Sequence, residues 1–257
     1  MKTQHTAWLI ACGMALSLIA PASAATINWG DLTSADSNVV FEDVTENNGE
    51  AGPLFASQVP GPIVVSDMLL LDPQNFQSQS SGGGADLIDS TLSTLITAKQ
   101  GGSINTIEIN EFGDYSLGGL TDGEAIASVG AAFFWRVLEV DGAPVGLPNE
   151  TASMTVSGGG MYQRSADDGT AVPWSGSVLI DIDAYLAGEG IDGQATAVSL
   201  RFDNTLQTAA DEVSNAFIKK KGVDITVTTD RPEIPEPTTV GLMLLGFATV
   251  AASRRQG

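Results

Sequence analysis

The strongest constraint in this sequence is a two-residue rhythm of apolar side chains. Over residues 195–203, Thr196, Val198, Leu200 and Phe202 point one way, while Ala197, Ser199, Arg201 and Asp203 point the other. Residues 223–228 alternate in the same manner. So do residues 151–157, with Ala152, Met154 and Val156 inward, and residues 178–183, with Val178, Ile180 and Ile182 inward. Ile107 and Ile109 flank Glu108 in a further short example. A strand with one face on a core and one face in water produces this pattern, because successive side chains leave the backbone on opposite sides. Residues 131–140 differ. Phe133, Trp135 and Val137 share one face and Phe134, Leu138 and Val140 the other, which predicts a central strand covered on both sides.

Turn signals separate these runs: Gly101-Gly102, Gly118-Gly119, Asp122-Gly123, Asp141-Gly142, Gly158-Gly159-Gly160 and Asp168-Gly169. Many short strands joined by Gly- and Asp-rich turns predict an all-β fold, an antiparallel β-sandwich of jelly-roll type over residues 25–230. One stretch breaks the rhythm. Leu87, Ile88, Leu92, Leu95 and Ile96 fall at helical spacing, Asp86 is placed as an N-cap and Gly101-Gly102 as a stop. The spacing predicts one amphipathic helix near 87–98. The polar, Gly- and Ser-rich residues 74–84 read as a loop. In residues 209–217, Ala209, Val213 and Phe217 fit a helical face as well as a strand. The basic island Lys219-Lys220-Lys221 reads as a solvated strand or turn edge.

The amino terminus carries Lys2, an apolar run over residues 7–20 and the small-residue sequence Ala22-Ser23-Ala24. That is the layout of a secretory signal peptide, residues 1–24, with cleavage between Ala24 and Ala25. The mature chain then lacks Cys12 and His5, the only cysteine and the only histidine. A disulfide is excluded, although export permits one. Thiol nucleophiles, Ser-His-Asp triads and His- or Cys-ligated metals are excluded with it. Between residues 25 and 236 stand eight basic residues against 31 acidic ones, a net charge of −23. Such a field repels nucleic acid, so none is expected as a partner.

The carboxyl terminus follows a different logic. Pro235-Glu236-Pro237 forms a stiff extended strip, since each proline fixes its own φ and biases the residue before it. Thr238 to Ser253 supplies 16 uncharged residues, a helix of about 24 Å against about 30 Å of bilayer hydrocarbon. Arg254 and Arg255 close the run, and the positive-inside bias leaves them in the cytoplasm with the acidic domain outside. The expected organisation is a signal peptide (1–24), a sandwich ectodomain (25–230), a Pro-rich linker (231–237), a transmembrane helix (238–253) and a basic cytoplasmic tail (254–257).

A Pro-Glu-Pro triplet, a short apolar helix and a terminal arginine pair, in that order, resemble the PEP-CTERM sorting signal of Gram-negative bacteria. The resemblance covers about the last two dozen residues. It implies handling by an exosortase, a transpeptidase-like membrane enzyme that cuts near the triplet, and an association with exopolysaccharide and biofilm. It implies nothing about what residues 25–230 do.

Within that domain, three kinds of chemistry compete. Asp167, Asp168, Asp181 and Asp183 are the best calcium candidates, although residues 181–192 fail the EF-hand pattern at Tyr185, Leu186 and Asp192. Glu108, Glu111, Glu139 and Asp141 are the carboxylates available for glycoside hydrolysis. Trp29, Trp135, Trp174, Tyr115, Tyr162 and Tyr185 are the rings available to stack on sugars, with Trp135 reading as core and Trp174 as the best candidate for exposure, although a packed strand start suits Trp174 better. The expectation is a non-enzymatic exported protein without a cofactor, structural or adhesive in a surface matrix. A carbohydrate-binding module with structural calcium is the alternative, and a carboxylate glycosidase the third.

Overall fold

The computed structural model describes residues 25–49, 52–120 and 122–230. The chain forms two antiparallel sheets. The first, of eight strands, runs β1 (Ala25–Leu32), β2 (Val39–Asn48), β6 (Ala85–Ala98), β14 (Ala195–Ala210), β8 (Ala125–Val140), β10 (Glu150–Ser153), and β9 (Ala143–Pro144) and β12 (Met161–Gln163) also pair with β8. The second, of seven, runs β11 (Thr155–Val156), β13 (Gly169–Asp181), β7 (Ser103–Gly119), β15 (Ser214–Asp230), β4 (Met68–Leu71), β3 (Ile63–Val65), with β5 (Gln77–Ser81) also on β15. Among the described residues two short α-helices, α1 (Arg164–Asp167) and α2 (Ile182–Gly188), and a 3-10 turn at Ser157–Gly160 interrupt the strands. Successive long strands change sheet: β6, β7 and β8 alternate between the two, and so do β13, β14 and β15.

The alternating runs build the core. Val198, Leu200 and Phe202 of β14 are buried, as are Ile107 and Ile109 of β7 and Val223, Ile225 and Val227 of β15. Phe202 stacks on Phe133 of β8 with centroids 5.4 Å apart. Phe55 meets both Phe202 and Phe76 edge-on at 5.2 and 5.3 Å. The two-faced strand, β8, is an inner strand of its sheet, with Phe133, Trp135 and Val137 buried and Phe134 39% exposed on the outer face.

The predicted helix at 87–98 is β6, a central strand paired with β2 and β14. Its inward row is Ile88, Ser90, Leu92, Thr94 and Ile96, so two hydroxyls occupy positions where the alternation would show apolar residues. Both find partners: Ser90 Oγ donates to Glu46 Oε1 at 2.9 Å and Thr94 Oγ1 to the Glu42 carbonyl at 2.9 Å. Leu87 and Leu95 lie on the other face, Leu87 being 55% exposed. Burial of satisfied hydroxyls and exposure of two leucines together imitate helical spacing, and pairing on both sides decides for strand.

The expected loop at 74–84 contains β5, with Phe76, Ser78 and Ser80 buried. Residues 209–217 resolve as the end of β14, a turn and the start of β15. No described helix is long and apolar enough to cross a membrane. Residues 1–24 and 231–257, including the predicted transmembrane helix, lie outside the described residues.

Candidate functional site

The inward-facing rows of β7, β14 and β15 carry three polar side chains into the middle of the sandwich. Glu111 follows Ile107 and Ile109 on β7, Asn204 follows Leu200 and Phe202 on β14, and Lys220 follows Ala216 and Ile218 on β15. All three are 0–1% exposed. Lys220 is thus not the solvated edge its lysine neighbours suggest. Its inward position depends on a bulge: Lys220 pairs with Gly113 and Gly222 with Phe112, leaving Lys221 as the extra residue. A bulge reverses the parity of a strand. It lets Ala216, Ile218 and Lys220 before it share a face with Val223, Ile225 and Val227 after it. Lys219 is half-buried, and Lys221 reaches Asp114 at 2.7 Å in an exposed ion pair.

Lys220 Nζ donates to Glu111 Oε2 and to Asn204 Oδ1. Aromatic rings enclose it: Nζ lies 5.3 Å from the Phe76 centroid and 5.9 Å from those of Phe55 and Trp174. Trp174 is 2% exposed, the packed strand position that its neighbours favour over an exposed ring, and takes the space a side chain at Gly113 would fill. Loss of water pulls the Lys220 pKa below the ordinary lysine value, against the opposing pull of Glu111. Three polar atoms around the cluster are buried without a partner, namely Glu111 Oε1, Asn204 Nδ2 and Trp174 Nε1.

A second buried carboxylate shows the ordinary structural solution. Glu46 of β2 is fully buried and accepts from Leu54 N at 2.7 Å, Phe55 N at 3.2 Å, Asn48 Nδ2 at 2.5 Å and Ser90 Oγ at 2.9 Å. It pins the segment that inserts Phe55 into the core.

The other candidates separate. Asp167 and Asp168 precede β13, Asp181 ends it and Asp183 follows, so 13 residues of extended strand hold the two calcium pairs about 40 Å apart. Asp181 caps α2 through Ala184 N at 2.9 Å, and Asp183 accepts from Asn105 Nδ2 at 2.9 Å. Among the described residues no three His, Cys, Asp or Glu side chains gather to hold a metal ion. Of the hydrolytic candidates, Glu108 points outward from β7, Glu111 points inward to Lys220, and Glu139 and Asp141 stand at the end of β8 in the other sheet. Tyr115 and Tyr162 stack on each other across the core at 4.0 Å, and Trp135 meets Tyr185 edge-on at 4.8 Å. These rings are packed against protein, and Trp29 is half-buried against the core.

The outer face of the first sheet holds a shallow cleft of about 520 Å³ lined by Leu95, Phe134, Trp135, Asn149 and Arg201 among others. The Arg201 guanidinium lies 5.7 Å from the Phe134 ring centroid and pairs with Asp203 at 3.2 Å. Phe134 was legible as an outward residue of a two-faced strand, and nothing in the sequence marked it as a cleft wall.

Ala25 begins β1 and pairs with Asn48. Ala22, Ala24, Pro235, Glu236, Pro237, Arg254 and Arg255 lie outside the described residues. Residues 233–256 match the family model of the PEP-CTERM protein-sorting motif. No curated protein matches the chain. Among solved structures, the chain is similar to a loop-swap mutant of Xyn11A from Neocallimastix patriciarum, at 8% identity and a TM-score of 0.21, over 80% of this chain and 100% of that one. It is also similar to the enzymatically active domain of tailspike protein 4 of bacteriophage CBA120, at 10% identity and 0.20, over 78% and 21%. The family 12 xyloglucanase of Bacillus licheniformis follows at 11% and 0.19, over 79% and 100%. Superpositions this loose carry no information about activity.

Proposed function

We propose that a chain whose tail carries the PEP-CTERM sorting motif is exported, held in the inner membrane by that tail, processed by an exosortase and delivered to the cell surface, where residues 25–230 act as a structural or adhesive β-sandwich. The match over residues 233–256 carries the reading. The two-sheet fold supports it, because a tightly packed sandwich without cysteine is a stable body for the cell exterior. The alternation of β6, β7 and β8 and of β13, β14 and β15 between sheets supports a jelly-roll-like winding. On this reading the domain turns over no external substrate and binds no cofactor. Replacing Pro235-Glu236-Pro237 by three alanines is expected to leave uncut protein in the inner membrane. Surface delivery of that variant at the normal level overturns the proposal.

A second reading is favoured by the outer cleft. Phe134 offers a partly exposed ring, and Arg201, Ser199 and Asn149 offer polar groups beside it, the combination that holds a sugar ring by stacking and hydrogen bonds. On this reading the domain binds the exopolysaccharide of its own cell. Titration of that polysaccharide against the wild-type protein and Phe134→Ala distinguishes the two readings. Saturable binding lost in the variant supports recognition at the cleft, and no binding leaves the structural role.

A further inference from the structure

We propose that Lys220 and Asn204 become joined by an intramolecular isopeptide bond, formed by the folded chain itself with Glu111 as the proton carrier. The geometry supplies each participant. Lys220 Nζ rests against the carboxamide of Asn204 and against the carboxylate of Glu111, in a core that excludes water. The four donors on Glu46 show how this fold satisfies a buried carboxylate that only holds structure. The Lys220 cluster instead leaves Asn204 Nδ2 and Glu111 Oε1 unpartnered. Buried polar groups are normally paired, and exceptions call for an explanation. Here the unpartnered nitrogen is the leaving group of the reaction.

The chemistry balances within the cluster. The buried ammonium passes one proton to Glu111, giving a neutral amine and a carboxylic acid, the direction in which desolvation already pushes the lysine. Nζ attacks Asn204 Cγ, forming the Nζ–Cγ bond as the carbonyl electron pair moves to Oδ1. Glu111 gives its proton to Nδ2 and takes one from the attacking nitrogen. The carbonyl re-forms, the Cγ–Nδ2 bond breaks and ammonia leaves, taking the remaining proton from Glu111 as ammonium. Glu111 ends as the carboxylate it began as, and no oxidant or cofactor is consumed. Two groups fixed in contact in a dry site need little further organisation to react. The product removes the buried ammonium and the unpartnered Nδ2 together, and its amide N–H still faces Glu111.

The link would join β14 of one sheet to β15 of the other, between residues 16 positions apart. A mature chain without cysteine has no disulfide with which to brace its sheets. Oxidising or reducing conditions outside the cell leave an amide untouched.

The test is a tryptic digest of the denatured full-chain protein, recovered from producing cells and read by mass spectrometry. Without the link, cleavage after Arg201 and Lys219 frees residues 202–219, and cleavage also follows Lys220. With it, cleavage after Lys220 is blocked, and residues 202–219 emerge joined to Lys220-Lys221 at a mass about 17 Da below the sum of the two peptides, the loss of one ammonia. Free 202–219 carrying an unmodified or deamidated Asn204 from the wild-type protein overturns the proposal, with no variant needed. Lys220→Arg is expected to release the free peptide, and a linked product in that variant overturns the assignment of the bond. Glu111→Gln, which keeps both reacting residues, is expected to lower the linked fraction at least tenfold, and linkage at the wild-type level removes Glu111 from its role.

Discussion

Lys220 Nζ donates across the sandwich to Oδ1 of Asn204, so a lysine of the second sheet and a carboxamide of the first meet at the centre of the core. Glu111 joins them, and the large side chains packed around the three are aromatic: Phe55, Phe76 and Trp174. The cluster therefore stands or falls as a unit, and its single replacements are expected to behave differently from its double ones.

In protein lacking the link, Lys220→Met strands the Glu111 carboxylate without its cation. Breaking one side of a buried ion pair costs about 3–5 kcal/mol. Adding Glu111→Met is expected to recover most of that loss, since two well-packed apolar residues replace the pair. Guanidinium unfolding of single and double variants measures the difference. Relative to linked wild type, Glu111→Gln is expected to lose about 3 kcal/mol, the loop-entropy value for a covalent bridge of this span.

Glu46 anchors the segment that delivers Phe55. Glu46→Ala leaves the buried donors of Leu54, Phe55, Ser90 and Asn48 without this acceptor, at about 1–3 kcal/mol for each that finds no substitute. The expected loss is about 3 kcal/mol or more, with hydrogen exchange at Leu54 and Phe55 rising first. Unchanged protection at those two amides would contradict the role given to Glu46.

Asp67 ties the two sheets at their margin, accepting from Asn38 N, from Asn38 Nδ2 at 2.9 Å, from Thr229 Oγ1 at 3.0 Å and from Ser37 Oγ at 3.1 Å. Burial pushes its carboxyl up, but the hydrogen bonds outweigh burial and hold it below the ordinary 3.8. A carboxyl with a depressed folded pKa contributes stability that is present above the unfolded value and is lost as pH falls through the folded one. The wild-type melting temperature is therefore expected to drop below about pH 4 by an increment absent from Asp67→Asn. Parallel acid profiles for the two proteins would count against this account.

Two glycines beside the cluster are expected to differ. A Cβ at Gly113 would collide with the Lys219 backbone carbonyl and lie 2.7 Å from the Trp174 ring, whereas the nearest atoms to one at Gly222 belong to the end of the Phe112 ring. Phe112 is 45% exposed, so its ring has solvent to turn into. Gly113→Ala is expected to destabilise by about 1–3 kcal/mol or more and to change Trp174 fluorescence, with Gly222→Ala costing under about 1 kcal/mol.

The sheets were legible because β7 from Ile107, β14 from Val198 and the carboxyl half of β15 alternate cleanly. Extending two of those rows by one more step places Glu111 and Asn204 inside. Lys220 was harder to place. Counting back from Val223 turns it outward, counting forward from Ala216 and Ile218 turns it inward, and only the bulge at Lys221 reconciles the two. β6 failed for a related reason, since Ser90 and Thr94 fill inward positions through hydrogen bonds that composition does not announce. Trp174 reads from the sequence as packed, but what makes room for it does not, since Gly113 lies on the neighbouring strand, 61 positions earlier in the chain.

The central claim, that the tail is a handling label removed on the way to the surface, is tested most directly at the carboxyl terminus of the mature protein. Mass spectrometry of surface-released chains is expected to find an end close to Pro235-Glu236-Pro237, with the apolar run and Arg254-Arg255 gone. Surface chains that still end at Gly257 would contradict it.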